Sequence, residues 1–443
     1  MLTKQGFIFD YSKCVGCHAC IVACSLENGV NPPLSWRKVN QFNKEKLPLL
    51  GFVHQSIACN HCLEAPCMKA CPSDSFSFDK QTGAVIHNQE RCLGCKYCTW
   101  ACPFEAPKYN DEKGIIEKCH FCYHRLKEGK IPSCALNCPT GALSFGQIEE
   151  QAQPMAIGFS KKKIYPKINV FGDEVVHNIP EIDIKVSGIE KTNLKKTIIK
   201  YEHPIIDALD EWPLVLFTFI GSLITGWFWG MMLPNSIQIP FWAFFSLSFI
   251  ALILSTFHLG KPFRSYLSIL NLKNSWLSRE ILFFGLFFSI GIVTFQIENN
   301  VLDYLTSLMG FLFLISIEFV YSVREKKNLT LLHSANTVAT ALTYTALLTE
   351  LWTILILLLA LKTLAFTIRN RLFSLFESPL ISIISFTRMI FGIFIPISFV
   401  VFTEYKFSWW IFTSIILGEI IDRFMFYMDF KRDRIDFNIS NSN

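Results

Sequence analysis

The chain has 443 residues, a formal net charge of +5 and a hydrophobic content of 51%. All 16 cysteines precede residue 139, whereas the long apolar runs begin only after residue 211. This division excludes a wholly water-soluble protein and predicts two domains in series, a cysteine-rich domain and then a membrane domain. The small net charge gives no indication of a nucleic-acid partner, and we expect none.

The cysteines fall into four groups whose spacing is typical of bacterial ferredoxins. The third group matches the C-x2-C-x2-C-x3-C-P motif of iron–sulfur proteins in full. In chain order the groups are Cys14, Cys17, Cys20 and Cys24, with Ser25 in place of proline; Cys59, Cys62, Cys67 and Cys71 before Pro72; Cys92, Cys95, Cys98 and Cys102 before Pro103; and Cys119, Cys122, Cys134 and Cys138 before Pro139.

In this motif three thiolates hold one iron–sulfur cube and the fourth reaches a different cube, so the groups must pair. Two nested units follow, in which the second group pairs with the third and the first with the fourth, although the spacing also permits other pairings. The nested arrangement gives four ligand sets: Cys14, Cys17, Cys20 and Cys138; Cys24, Cys119, Cys122 and Cys134; Cys59, Cys62, Cys67 and Cys102; Cys71, Cys92, Cys95 and Cys98.

Disulfide scaffolds and structural zinc sites are the two other common uses of paired cysteines. Residues 1–13 contain no apolar signal segment, so we expect no secreted, disulfide-bonded domain. Zinc sites do not require a third cysteine at this spacing or a proline after the fourth. The pattern therefore favours iron–sulfur clusters.

The sequence between and after the cysteines predicts the domain boundaries. Residues 76–78 and 84–86 alternate in polarity around a turn at 79–83, which predicts a β-hairpin. Lysines, prolines and scattered charges in 151–210 indicate a linker that drapes over a partner subunit. We therefore expect a ferredoxin-like cluster domain in 1–150, this linker in 151–210 and a membrane domain in 211–443.

The membrane domain contains eight apolar runs, most of them close to the length that a helix needs to cross a bilayer. Lysine and arginine concentrate after the second, fourth, sixth and eighth runs, which predicts that both chain ends and the cluster domain face the cytoplasm. The runs are 212–233, 239–257, 279–296, 303–323, 333–349, 351–369, 382–403 and 407–428.

Several ionisable residues lie within these runs. Charged groups in a membrane interior face the bundle and pair with one another, so we expect a Glu318–Arg388 or an Arg388–Glu419 pair. A pair that holds helices together and a proton path for quinone chemistry both remain open as functions.

The motifs of the first domain resemble the four-cluster electron-transfer subunit of the dimethyl sulfoxide reductase family. The resemblance covers roughly residues 5–150 and rests on three runs, from Cys59 to Cys67, from Cys98 to Asn110 and from Glu128 to Cys134. In nitrate-reductase relatives a tryptophan replaces one cysteine of the third group, which converts that site to a three-iron cluster. Because this chain retains all the cysteines, the resemblance implies four [4Fe–4S] clusters.

A second resemblance lies in the membrane domain. The run from Glu211 to Thr218, His258-Leu-Gly-Lys-Pro-Phe-Arg264 and Trp276-Leu-Ser-Arg-Glu280 resemble the eight-helix, quinol-oxidising anchor of the same family. The resemblance implies a quinol pocket containing His258 and Glu280, with Arg264 as a third candidate. An interfacial role is the alternative for each of them. In the best-known relatives the two subunits are separate chains that face the periplasm, whereas here they are fused.

The sequence predicts an α+β double ferredoxin-like domain with four Fe–S clusters, followed by an all-α bundle of eight transmembrane helices. The family resemblance implies that menaquinol or another quinol is oxidised in the cytoplasmic membrane, and that a separate molybdopterin (bis-MGD) subunit receives the electrons. Two alternatives remain: a quinone-reducing subunit of a hydrogenase or formate dehydrogenase, and a membrane-bound redox sensor. The sequence does not specify the terminal substrate.

Overall fold

The computed structural model describes residues 5–42, 53–148, 164–172, 209, 211–234, 236–322, 333–373, 379–402 and 406–429. These residues form two compact units, one that contains the cysteine groups and one that consists of helices. The cluster unit also includes Phe263–Asn274, a segment that lies between two helices of the other unit in the sequence.

Short strands and short helices build the cluster unit, because the cysteine loops occupy much of its sequence. The strands are β1 Gln5–Asp10, β2 Lys38–Phe42, β3 Val53–Ile57, β4 Phe76–Phe78, β5 Val85–His87, β6 Lys108–Asn110, β7 Ile115–Glu117, β8 Leu143–Gln147 and β9 Ile168–Phe171. The helices are α1 Ala19–Asn28, α2 Pro66–Ala70, α3 Tyr97–Ala101, α4 Tyr123–Lys127 and α5 Ser133–Leu136, with a short 3-10 helix at Tyr11–Lys13.

Strand β1 is the centre of the main sheet of this unit. It pairs antiparallel with β8, where Phe7 lies opposite Phe145, and parallel with β9, where Phe7 lies opposite Ile168. Strands β2–β3, β4–β5 and β6–β7 form three separate antiparallel pairs. The predicted hairpin at 76–86 is confirmed, since Phe76 lies opposite His87.

Strand β9 comes from the segment that was predicted to be a linker. The main sheet therefore includes residues beyond the predicted boundary at 150. Of 151–210, only 164–172 and 209 belong to the described residues, so the predicted draping of the rest lies outside them.

The helical unit follows the apolar runs of the sequence. Its helices are α6 Trp212–Met231, α7 Phe241–Phe257, α8 Trp276–Thr294, α9 Asn300–Tyr321, α10 Thr337–Leu348, α11 Trp352–Phe373, α12 Pro379–Met389, α13 Ile395–Phe402 and α14 Trp409–Asp429. A π-helical turn at Ile390–Phe394 joins α12 to α13, and a 3-10 helix, Pro262–Ile269, follows α7.

Within the described residues, five helices are long and apolar enough to cross a membrane, or six if α7 and the following 3-10 helix count as one span. The chain is therefore a multi-pass membrane protein. Helix α10 has only 12 residues, and α14 contains Glu419, Asp422 and Arg423. The prediction of eight transmembrane helices therefore stays a prediction.

Helices α6 and α10 approach each other closely at Gly226. A Cβ atom at this position would overlap the backbone carbonyl of Ala341, and the hydroxyl of Thr345 donates to the Gly226 carbonyl at 2.8 Å. Small residues permit such backbone contact between membrane helices, where dispersion and hydrogen bonds replace hydrophobic burial.

We predict that Gly226→Ala destabilises the helical unit by about 1–3 kcal/mol, since the added methyl group must separate two backbones. Gly285→Ala in α8 is the matched control, because a Cβ there meets no atom within 4 Å. Thermal unfolding of the detergent-solubilised protein measures both variants. Equal melting temperatures for the two variants would show that the contact at Gly226 carries no stability.

Candidate functional site

The four cysteine loops share one backbone feature. In each group the residue before the second cysteine has a positive φ: 67° at Gly16, 45° at His61, 71° at Gly94 and 64° at Phe121. Where this conformation alternates with right-handed backbone, successive N–H groups point toward one concave surface that binds anions. Such surfaces are common at iron–sulfur sites.

Backbone N–H groups also point at individual sulfur atoms. Gly94 donates to the Sγ of Cys92 at 3.4 Å, and Phe121 donates to the Sγ of Cys119 at the same distance. In addition, the fourth cysteine of two groups accepts a backbone hydrogen bond at 3.3 Å, Cys71 from Ser75 and Cys138 from Leu143. Such bonds stabilise thiolates, which are the form that binds iron.

The cysteines of two predicted sets each surround a cavity. Cys14, Cys17, Cys20 and Cys138 line one with about 320 Å³ of empty space. Cys59, Cys62, Cys67 and Cys102 line another of about 310 Å³. In the described part of the chain, no group of three or more His, Cys, Asp or Glu side chains is arranged around a single metal ion. A cube takes one thiolate at each of its four irons.

Every predicted set contains a cysteine whose electrostatic neighbours include the other three members of that set, although some cysteines also have neighbours in another set. Burial raises the pKa of Cys14, and Cys20, Cys138 and Cys17 raise it further. The same two causes raise the pKa of Cys62, through Cys59, Cys102 and Cys67; of Cys98, through Cys95, Cys71 and Cys92; and of Cys119, through Cys24, Cys134 and Cys122. Each set must therefore lose protons when it binds a cluster. The assignment of the sets to clusters stays a prediction.

Two buried cations lie among the cysteine sets, and neither was predicted from the sequence. Arg37 donates from Nη1 to the hydroxyl of Ser56 at 3.0 Å, and that hydroxyl lies 3.2 Å from the Sγ of Cys20. Lys118 donates to the carbonyl of Cys119 at 2.9 Å and lies 3.7 Å from the Sγ of Cys59. The only sequence feature that could have indicated either cation is the position of Lys118 directly before Cys119.

The surroundings of the Arg37 side chain indicate whether the cysteine sets fit an anionic cofactor. It is 2% exposed, and its Nε and Nη2 atoms are buried with no hydrogen-bond partner among the described residues. A buried guanidinium that lacks acceptors is costly unless anions face it. Cysteine thiolates and cluster sulfides would supply that negative charge, so the residues fit iron–sulfur clusters.

The segment Phe263–Asn274 contacts the third cysteine group and Cys71 inside the cluster unit. Arg264 donates from Nη1 to the carbonyls of Gln89 at 2.8 Å and Cys92 at 3.1 Å. The side chain of Asn271 donates to the carbonyl of Cys71 at 2.8 Å, and its backbone N–H donates to Pro72 at 3.1 Å. Asn271 was not predicted as a site residue.

The three predicted quinol-pocket residues are divided between the two units. Arg264 belongs to the cluster unit, whereas His258 and Glu280 belong to the helical unit. His258 is the half-buried residue that directly follows α7, and Glu280 is buried in α8. Their role in binding quinol stays a prediction.

A group of buried polar side chains extends from Glu280 through the helical unit. The positive charge of Arg423 acts on Glu280, and its Nε donates to the Thr218 hydroxyl at 2.8 Å. The hydroxyls of Tyr321 and Tyr427 hydrogen-bond to each other, and the Arg423 guanidinium lies 5.6 Å from both ring centres. This group was not predicted from the sequence.

The predicted ion pairs of Arg388 were wrong. Arg388 pairs with Asp422 at 3.0 Å, and Glu419 pairs with Lys362 at 2.6 Å. Glu318 instead accepts hydrogen bonds from the hydroxyl and backbone N–H of Thr337, at 2.6 and 2.7 Å. The position of each residue along its apolar run indicated its depth, but depth does not define which helix faces are in contact.

Comparisons with known proteins match both parts of the chain. Residues 52–148 match a family described as a 4Fe-4S dicluster domain, and residues 206–393 match the DMSO reductase anchor subunit family. The chain is 41% identical over 161 residues to the probable anaerobic dimethyl sulfoxide reductase chain YnfG of Escherichia coli (strain K12), covering 34% of this chain and 78% of the relative.

The chain belongs to the dimethyl sulfoxide reductase family. It unites the iron–sulfur subunit and the anchor of that family in one polypeptide, as the two resemblances predicted. It is also 37% identical over 168 residues to the thiosulfate reductase electron transfer subunit PhsB of Salmonella typhi (37% of this chain, 86% of the relative). A sulfite dehydrogenase subunit of Allochromatium vinosum is 29% identical over 201 residues (40% and 84%). This chain is thus an iron–sulfur electron-transfer subunit with a membrane anchor.

We predict that anaerobically purified protein contains about 16 iron atoms and 16 acid-labile sulfides per chain, because every cysteine falls in a predicted ligand position of a four-cluster arrangement. Elemental analysis together with a sulfide assay measures both. A value near eight irons, or stoichiometric zinc, would contradict the prediction.

Proposed function

We propose that this chain takes electrons from a quinol in the cytoplasmic membrane and delivers them to a separate molybdopterin (bis-MGD) catalytic subunit through four [4Fe–4S] clusters. Each bound cluster would supply a site that accepts and releases one electron. The residues of this chain bind the clusters, set their electrostatic surroundings and bind the quinol.

The contact of Phe263–Asn274 with Cys71 and Cys92 carries this proposal. Arg264 lies six residues after His258 in the sequence, and it hydrogen-bonds to the carbonyl of Cys92. The chain that follows the predicted quinol residue therefore binds the set Cys71, Cys92, Cys95 and Cys98. This favours that set as the entry point for electrons.

The neighbours between sets favour one order for the remaining sites. Cys98 is an electrostatic neighbour of Cys67 in the next set. Cys119 is a neighbour of Cys59, and Cys20 is a neighbour of Cys134. These three contacts between sets support one order of electron transfer. It begins at the set that contains Cys92, continues through the sets that contain Cys59 and Cys119, and ends at the set that contains Cys14.

The set at the end of this order lies at an exposed apolar surface. Cys17 is exposed, and Val15, Val22 and Leu26 are 64%, 56% and 80% exposed. Apolar surface beside a redox site favours docking of another protein. We propose this surface as the docking site of the catalytic subunit.

Quinol oxidation releases two protons, so the pocket needs groups that accept them. Histidine suits this role, since its unperturbed pKa of about 6.5 permits proton transfer near neutral pH. His258 directly follows a membrane helix and Glu280 is a buried carboxyl group. We propose His258 as the first proton acceptor, with Glu280 as the second or as the group that orients the imidazole.

The direction of electron flow distinguishes the proposed function from its main alternative. A hydrogenase or formate dehydrogenase partner would drive the same sites toward quinone reduction. Two of the similar proteins carry the names of reductases and one that of a dehydrogenase. A redox sensor without a catalytic partner would need neither the quinol residues nor an ordered set of four sites.

We predict that His258→Ala slows reduction of the clusters by a menaquinol analogue by about 100-fold or more, because general-base assistance is lost. Stopped-flow absorbance measures this rate, and binding of a quinol-analogue inhibitor is expected to weaken in parallel. Reduction by dithionite is expected to proceed as in the parent protein.

Gln238→Ala is the matched control, since Gln238 is an exposed polar residue just before the opposite end of α7. It is expected to leave quinol-driven reduction unchanged. If His258→Ala reduces its clusters with quinol at the parent rate, His258 is only an interfacial residue.

We propose that the cluster domain faces the cytoplasm, with eight transmembrane spans, because lysine and arginine concentrate in alternate loops. An alkaline phosphatase fusion after Asn443 is expected to be inactive, whereas a fusion truncated after Ser236, in a loop without Lys or Arg, is expected to be active. A fluorescent C-terminal fusion verifies expression. An active fusion after Asn443 would overturn the orientation.

A further inference from the structure

We propose that Arg37 is a shared electrostatic positioning residue for two clusters, which raises the reduction potentials of the sets containing Cys20 and Cys134 together. This inference rests on the proposed binding of clusters by the four cysteine sets. It assigns the function to a residue outside every cysteine motif.

The surroundings of Arg37 fix its guanidinium between the two sets. The group lies 4.6 Å from the centre of the Phe7 ring, in the apolar core that also contains Cys20, Cys24 and Cys134. Nη1 is bound to the Ser56 hydroxyl, and the Ser56 hydroxyl contacts Cys20. Ser56 therefore links the arginine to one set through a hydrogen bond.

The positive charge of Arg37 acts on both sets. Burial raises the pKa values of Cys20 and Cys134, and in each case Arg37 opposes that increase. The cysteines that act on Arg37 in return are Cys134, Cys20, Cys119 and Cys24, which come from both sets. Since arginine stays protonated in proteins, this charge is permanent.

A permanent buried cation affects the two clusters in the same direction. Each cluster gains one negative charge when it is reduced, and a nearby positive charge stabilises that form. The effect is strong because few water molecules screen charges in a buried site. Arg37 also offsets the repulsion between two neighbouring clusters when both are reduced.

The hydrogen-bond donors of Arg37 also indicate that its guanidinium faces the clusters. Nε and Nη2 are buried without a nitrogen or oxygen acceptor in the described structure, and the Arg37 side chain lies within hydrogen-bonding reach of the Cys134 thiol. An arginine with a purely structural role would use its fork of donors on carbonyls or carboxylates. Here two donor atoms are left for sulfur acceptors, which hydrogen-bond more strongly as negative charge accumulates on them.

The test is a redox titration of the complete protein, followed by electron paramagnetic resonance. For Arg37→Met we expect two of the four reduction steps to move to lower potential by at least about 59 mV, which is a tenfold change in a one-electron equilibrium. The other two steps are expected to stay in place. Arg37→Lys is expected to recover most of the shift, because it restores the charge.

Lys13→Met is the matched control. It also removes a positive charge beside the first cysteine group, but the Lys13 side chain is 60% exposed and pairs with Asp10. Solvent screening is therefore expected to leave all four potentials unchanged. A shift equal to that of Arg37→Met would show that total charge, and not the buried position, sets the potential.

Iron and sulfide content separates the possible failures. If the parent protein lacks four reducible clusters, the proposed function is wrong. If the parent contains them and Arg37→Met retains them with unchanged potentials, only the role of Arg37 is refuted. If Arg37→Met loses clusters, Arg37→Gln provides the comparison, since it removes the charge but keeps a polar side chain. A lower potential in two reduction steps then supports the proposal, and four unchanged potentials refute it.

Discussion

The accumulation of negative charge in a small buried volume is the constraint on which the cluster unit depends. Sixteen cysteines lie within 125 residues, from Cys14 to Cys138, and most of them are buried. Two features of the chain offset this charge: backbone N–H groups in loops with left-handed residues, and the buried cations Arg37 and Lys118 at junctions between sets. The left-handed residues lie inside the cysteine motifs, whereas the two buried cations lie outside them.

The helical unit meets a related constraint with a different solution. A membrane interior supplies no water to solvate charge, so the three buried charged side chains of α14 in the described structure each have a partner. Glu419 pairs with Lys362 and Asp422 with Arg388, while Arg423 donates to Thr218 and to the carbonyl of Ala335. The π-helical turn begins two residues after Arg388, and π-helical turns are often found at functional sites. This set of pairs is compatible both with helix packing and with proton movement.

Local patterns predicted local structure well. The hairpin of β4 and β5, the division into two chemistries and the positions of the helices were readable because spacing and periodicity depend on neighbouring residues. Contacts between distant segments could not be predicted from the sequence. The ion pairs of Arg388 depend on how helix faces meet, and the strand β9 depends on pairing with β1, more than 150 residues earlier in the sequence. Arg37 stands between motifs, where no spacing rule marks it, and only its burial reveals it.

The predicted crossed use of the fourth cysteine would link cluster binding to the folding of the whole unit. Helix α1, with Cys20 and Cys24, packs against α5, whose Cys134 belongs to the predicted set of Cys24. Helices α2 and α3 also pack together, and their cysteines Cys67 and Cys98 belong to two different predicted sets. The five helices have between 4 and 10 residues, which is too short for helices that are stable alone. In the predicted arrangement, free energy from cluster binding helps to hold distant segments together, as in other small metal-binding domains. On this view the buried cations stabilise the fold as well as the reduced clusters, because they lower the repulsion that cluster binding introduces.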